Sequence, residues 1–361
     1  MIQGLLIQSL LVFPSEFEIL ENIIPFNKEK PFSLGLSHIR FDDSLDILNY
    51  SDKLKSTKPG KASTDNVYLS YVYKKLKFTY EYSDSSGTVT RSTQPFSLKT
   101  NVDSDSFFIG YNFFQNESRF YELSIFSREE KQDPLVIDCY AFGNTVLGGS
   151  CEEAKVRSLN SEIYKSTGEL VYEPVLRLSG DSDTQGIVLR ITSKSLGLLN
   201  FNHSFTFTNS KINQSFQSNI LNTTDQFIRN TIIEGQNAGE LLDRFKNELP
   251  QRTPWKENTF KYSVGNLIPL GENFAFSGMY TFIKVNRNDY LNNPNKEDFT
   301  KNHVMDLSLF YRLSNYGTFY VKVSAFSNYL LGVNPLAYNR RSNHLFDHPY
   351  GQINAGLIFN F

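Results

Sequence analysis

The chain ends with GQINAGLIFNF, residues 351–361, and the reading of that stretch decides the fold. Counted back from the terminus in twos, Phe361, Phe359, Leu357, Ala355 and Ile353 fall on one side, and Asn360, Ile358, Gly356, Asn354 and Gln352 on the other. Successive side chains of a strand point to opposite faces, so one face here is apolar and the other mostly small or amide. A strand with lipid on one side and a wet lumen on the other carries this pattern.

The composition permits such strands. The 361 residues hold 36 Lys+Arg against 38 Asp+Glu, which leaves no basic footprint for nucleic acid. There are 31 Phe and 20 Tyr but 1 Trp, and the mean hydropathy is negative. No apolar run reaches the length of about 18 residues that a transmembrane helix requires. A β-barrel stays open, because the lumen-facing half of each strand dilutes the hydropathy. A soluble β-sandwich has the same composition, so the decision falls to pattern.

Alternation recurs along the chain. FSLGLSHIR sets Phe32, Leu34 and Leu36 against Ser33, Gly35 and Ser37. Residues 66–83 read as two strands joined at Lys74-Lys75, with Val67, Leu69, Tyr71 and Tyr73 on one face of the first and Leu76, Phe78, Tyr80 and Tyr82 on one face of the second. SFFIGYNFF and RFYELSIFS flank QNES; further strands are expected at 156–164, 169–179, 185–193 and 197–208. In the last third, strand pairs flank PLGE and SNYG before the terminal strand. The count is about fourteen, with 12–16 as the range. Short connections alternate with long ones (about 41–65, 84–105, 129–155, 209–256, 287–301 and 328–349), with 180–184 a short exception. Transmembrane barrels have this asymmetry, with short periplasmic turns and longer extracellular loops.

Phe361, Phe359, Leu357, Ala355 and Ile353 resemble the C-terminal assembly signal of Gram-negative outer-membrane β-barrels. By pattern the resemblance covers about 31–361. It implies an all-β, antiparallel transmembrane barrel in the outer membrane, in contact with outer-membrane lipid and lipopolysaccharide and inserted by the barrel-assembly machinery. Fourteen strands is the size of known monomeric porins, of fatty-acid transport barrels and of the barrel of surface-lipoprotein export proteins, and no motif chooses among them. The expected function is a porin-like or gated uptake channel for small polar or anionic solutes. The alternative is the barrel domain of a surface-protein export or surface-binding protein. Residues 1–30 read as a separate N-terminal segment, a weak signal peptide or part of a longer chain: Leu5 to Phe13 is apolar, but a positive n-region and a small-x-small cleavage site are missing.

The inferred lumen face carries Lys77, Glu81, Glu122, Glu173, Arg177, Arg190, Lys261, Asp306, Arg312 and Lys322. Near balance of sign suits either a wet passage or a salt-bridged filling, since buried charges must find partners. In the longest loop, residues 237–249 read as a short helix with Asn237 as cap and Glu240 three residues on, ended by Pro250. Its apolar face (Leu241, Leu242, Phe245, Leu249) needs cover, either as a lid in the mouth or against other loops. Arg340 and Arg341 are candidates to attract an anion, and His344, Asp347 and His348 are loop polar groups with metal-binding chemistry, although bonding within the loop is the plainer expectation. Cys139 and Cys151 bracket a Gly-rich stretch, and so close a pair in an exported protein suggests a disulfide. No metal site, cofactor or catalytic set is expected. Barrel lipases need a serine, a histidine and an amide or acid in one cluster. His203 lies on the lipid-side register, whereas its neighbours Asn202 and Ser204 point the other way; His38 is also on an outer register.

Overall fold

The structure is a computed structural model that describes residues 30–41, 61–90, 97–116, 119–137, 145–146, 149–150, 176–195, 199–217, 229–230, 232–233, 236–237, 239–240, 243, 254–288, 300–327, 331–333, 336 and 350–361. Twelve long strands close into one antiparallel barrel. They are β1 (Phe32–Phe41), β2 (Lys61–Tyr73), β3 (Leu76–Thr90), β4 (Ser97–Gln115), β5 (Arg119–Ile137), β6 (Leu176–Ser195), β7 (Leu199–Gln217), β8 (Trp255–Pro269), β9 (Phe274–Asn288), β10 (Lys301–Arg312), β11 (Gly317–Phe326) and β12 (Tyr350–Asn360). Each pairs with its neighbours in sequence, and β1 closes on β12 with Leu36 opposite Leu357 and Ser33 opposite Asn360.

The count of twelve is the lower bound of the expected range. β6 runs unbroken through 180–184, where a connection was expected, and pairs directly with β5, Ile125 opposite Ile187. No further strand stands between them in the barrel; the expected strand at 156–164 lies outside the described residues. Two strands fewer is an even change, so the parity of the connections is unaltered. Those at 74–75, 116–118, 196–198, 270–273 and 313–316 lie at one end. Those at 42–60, 91–96, 138–175, 218–254, 289–300 and 327–349 lie at the other. The tightest, Lys74-Lys75, places Lys74 at φ 57°.

Alternation along every strand separates the wall into two surfaces. Outside lies a belt of exposed apolar side chains, such as Leu36, Leu69, Tyr71, Phe107, Leu123, Ile125, Ile187, Phe207, Leu307 and Leu309. A belt of this extent has no place in water and is what lipid requires of a barrel. Closure also satisfies every strand edge, which lipid would leave unpaired. Towards the long-connection end the outward residues turn polar within one step: Asp65 follows Val67, Asp105 follows Phe107, and Lys256 and Asn258 precede Phe260. β4 to β7, at 19 or 20 residues each, run on well past that boundary. Among the described residues no helix is long and apolar enough to cross a membrane.

Candidate functional site

The inward side chains are mostly buried. Towards the short-turn end Tyr68, Phe310, Tyr320 and Ile358 form an apolar cluster, with Leu267 and Ala275 against it. The Tyr320 ring crosses onto the neighbouring strand at Gly356, where a Cβ would sit 2.6 Å from its atoms. Only a glycine leaves that space. Below the cluster is a recess of about 680 Å³ bordered by Lys30, Phe310, Arg312 and Asn360. Lys30 reaches across this mouth, donates to the Asn315 carbonyl and stands 4.4 Å from the Tyr316 ring centre.

Above the cluster the wall is mixed: Phe108, Phe126 and Val188 form a second apolar cluster, and buried polar and charged side chains stand beside it. Arg190 and Glu122 form an ion pair with both side chains 5% exposed or less. Ser124 donates to the same carboxylate at 2.8 Å. Asp306 accepts from Ser324 at 2.5 Å and has the Lys322 ammonium 4.0 Å away. Glu81 is buried too, while Lys77 and Lys261 are half-buried and Arg312 is exposed at the short-turn mouth. Of the ten charged positions inferred for the lumen, Glu173 lies outside the described residues, and Arg177 stands on β6 with its side chain not described.

Four buried charges were missed in the sequence. Arg287 donates from Nε to Glu257 at 3.1 Å, Arg128 donates to Ser106 at 3.0 Å, and Glu130 accepts from Ser182 at 2.7 Å. All lie near the long-connection end. The signal was a continued alternation in which both faces are polar, as in Arg128-Glu129-Glu130-Lys131, and hydrophobic periodicity passes over it.

At that end part of the chain enters the bore. Residues 331–333 and 336, in the connection from β11 to β12, are buried. Leu331, Val333 and Leu336 are 5% exposed or less. Asn302, on the inner face of β10, donates to the Leu331 carbonyl at 3.0 Å. Gly332, at φ +68°, packs so closely on Ile283 and Val285 of β9 that a Cβ would overlap them. Leu336 joins Val102, Ile212 and Trp255 of β4, β7 and β8 in one buried cluster. The described residues of this apolar strap therefore lie against β9 and β10 on one side, and against β4, β7 and β8 on the other. Sequence reading had offered 237–249, either as a lid or as a helix packed on other loops. There, Asn237 does act as a cap, its Oδ1 accepting from the Gly239 amide at 2.9 Å; residues 241–242 and 244–250 lie outside the described ones.

The remaining site candidates separate. Arg340, Arg341, His344, Asp347, His348, Cys139 and Cys151 all lie outside the described residues. Among the described residues no group of three or more His, Cys, Asp or Glu is placed to hold a metal. His38, His203 and His303 stand on the outer face and hydrogen-bond Asp65, Tyr262 and Tyr280.

No family model and no curated protein matches the sequence. The fold does have solved counterparts. The translocator domain of autotransporter NalP from Neisseria meningitidis is similar at a TM-score of 0.50 and 9% identity, over 95% of this chain and 93% of that one. The toluene transporter TodX of Pseudomonas putida matches at 0.44 and 12%, over 98% and 95%. The transport unit of the autotransporter AIDA-I from Escherichia coli matches at 0.40 and 9%, over 100% and 96%. Closed antiparallel architecture, an apolar outer belt, buried charges on the inner face and segregated connections converge on one description: the chain is a transmembrane β-barrel of the outer-membrane type.

Proposed function

We propose that the protein is a gated channel of the bacterial outer membrane, with the long connections outside the cell and the short turns in the periplasm, and that it passes small polar or anionic solutes. One observation carries the reading. Residues 331–333 and 336, parts of a loop, are buried inside the bore near its outer end, where they would act as a strap across it, and the wall beneath them carries buried charges and hydrogen-bonding groups among its apolar side chains. A barrel filled only for stability has no need of such a wall, since buried charges cost more than apolar packing. Among the described residues, Asp306 Oδ2, Asn354 Oδ1 and Arg128 Nη2 are buried without a hydrogen-bond partner, which is hydrogen-bonding capacity on the wall of a solute path. Outer-membrane lipid, lipopolysaccharide and the barrel-assembly machinery are the partners that this location requires.

Planar-bilayer conductance tests the reading. Wild-type protein is expected to be mostly closed, and a variant with 331–336 replaced by Gly-Ser residues to conduct. A replaced variant that folds, by heat-modifiable gel mobility, and still does not conduct refutes the gated channel.

A surface-binding barrel is the second reading, and the length of β4 to β7 favours it. Their outer halves form a wall standing beyond the lipid belt, with exposed Asp103, Lys131, Asp133 and Asp181. In that case binding resides in the wall and loops, and the strap only seals the bore.

A further inference from the structure

The outer surface of β4 to β9 is not uniformly convex. A groove of about 870 Å³ runs across these strands at the boundary where the apolar belt turns polar. Its register is regular. One row places Ile109, Ile125, Ile187, Phe207 and Phe260 side by side. The row above it, nearer the long connections, is Ser127, Gln185, Asn209, Asn258 and Asn286. The next row above, beyond the groove, places Lys211 directly opposite Lys256.

Between β7 and β8 the three rows stack as a ladder. The Phe207 and Phe260 rings lie 5.0 Å apart. Above them Asn209 donates to Asn258 at 2.7 Å, and above those stand the two lysines. Rows on one face are two residues apart, so the ladder climbs about 13 Å from ring to ammonium. Lys284, opposite Phe260, adds a third cation at the groove edge. Like charges directly opposed on neighbouring strands repel; Lys211 has Asp183 opposite it on its other side and Lys256 has Asn288, so an anion between the lysines serves Lys256 above all. Asp105, Glu129 and Asp183 occupy the lysine row on β4 to β6, so an anion is drawn to the β7–β9 end.

We infer that this groove is a binding site for a phosphorylated, acylated lipid of the outer leaflet: acyl chains lie on the phenylalanine and isoleucine row, the polar linkage meets the amides, and the phosphate meets Lys211 and Lys256. The complementarity is one of order as well as charge, since apolar, amide and cationic rows follow the sequence of an acylated phosphate from tail to head. Basic residues at a membrane surface attract anionic lipid heads. The inference rests on the orientation given under Proposed function.

The test uses the full chain, extracted from outer membranes in mild detergent and delipidated, with native mass spectrometry as readout. Bisphosphorylated lipid A, its dephosphorylated form and inorganic phosphate are the probes. Wild type is expected to bind the bisphosphorylated form at least tenfold tighter than the dephosphorylated one. K211Q/K256Q is expected to lose that difference, and K75Q, an exposed lysine in the tight turn at the opposite end of the barrel, to keep it. The single variant K256Q reports in the same direction if the double variant does not fold. Equal binding of the two lipids by wild type, or an unchanged preference in folded K211Q/K256Q, overturns the site. Complete displacement of the lipid by millimolar inorganic phosphate overturns the lipid assignment in favour of a free-anion site. Fractionation of the wild-type protein checks the location separately, so a chain outside the outer membrane is told apart from a barrel without the site.

Discussion

The side-chain amide of Asn302 donates to the backbone carbonyl of Leu331 at 3.0 Å, and that bond ties the barrel wall to the strap across its bore. Asn302 is itself held, its oxygen accepting from the His303 amide at 2.9 Å and from the Ser327 hydroxyl at 3.2 Å. Asn302→Ala leaves a buried carbonyl without this donor, at a cost of about 1–3 kcal/mol. On the gating proposed above, the closed state alone would bear that cost, because an open state would have the strap in water. Open probability in single-channel records should rise about tenfold. An unchanged open probability, in a protein that conducts once 331–336 is replaced, would show that this bond does not hold the gate.

Arg190 and Glu122 give a second test, of the wall rather than the gate. Arg190→Ala strands a buried carboxylate and should cost about 3–5 kcal/mol. The paired change Arg190→Met with Glu122→Leu removes both charges and should recover most of the loss. Trp255 is the chain's one tryptophan and is buried, so its fluorescence reports urea unfolding. A double variant as unstable as Arg190→Ala would mean that packing, not the stranded charge, sets the cost.

Gly356→Ala probes the close approach of Tyr320. The added methyl needs space that the ring occupies, and overpacking of this kind costs about 1–3 kcal/mol. In a Tyr320→Leu background the same alanine should cost much less, since the obstructing ring is gone. Equal costs in both backgrounds, measured by the same urea titration, would place the strain elsewhere.

These contacts also show what the sequence could and could not reveal. The lipid belt was legible because outward Phe, Tyr, Leu and Ile alternate with small or polar residues, as in Phe107, Ile109 and Tyr111 against Gly110 and Asn112. Beyond the belt both faces meet polar surroundings. Glu129, Glu130 and Lys131 then look alike, and strands read from periodicity stop short. The same blindness broke β6 at 180–184, where Gly180, Asp181 and Ser182 suggest a turn but sit in a ladder opposite β5 and β7. The strap carried a signal that went unused. Leu330, Leu331, Val333 and Leu336 are apolar residues in a connection, and such residues need cover. Gly332 and Pro335 obscure any helical or strand period, whereas 237–249 has a helical one.

The terminal strand supplies the last test, because it closes the barrel. The Phe361 amide donates to the Phe32 carbonyl at 2.8 Å, the Phe32 amide donates back at 3.3 Å, and the two rings lie 6.1 Å apart. Deleting Phe361 removes one end of a seam that eight paired positions otherwise hold, so assembly should suffer more than the stability of barrels that do form. Leu357→Arg places a charge on the lipid face between Leu36 and Phe319, at a cost of about 2–4 kcal/mol near the midplane. The inward positions of the same strand are not equivalent. Asn354 is fully buried and donates to the Tyr320 hydroxyl at 3.1 Å, so an arginine there has no room. Asn360 is half-buried at the short-turn mouth, where an arginine can extend into the recess. Heat-modifiable mobility in membrane fractions should therefore show Asn360→Arg folded and both Leu357→Arg and Asn354→Arg impaired. A folded Leu357→Arg beside an impaired Asn360→Arg would reverse the inner and outer faces of the barrel.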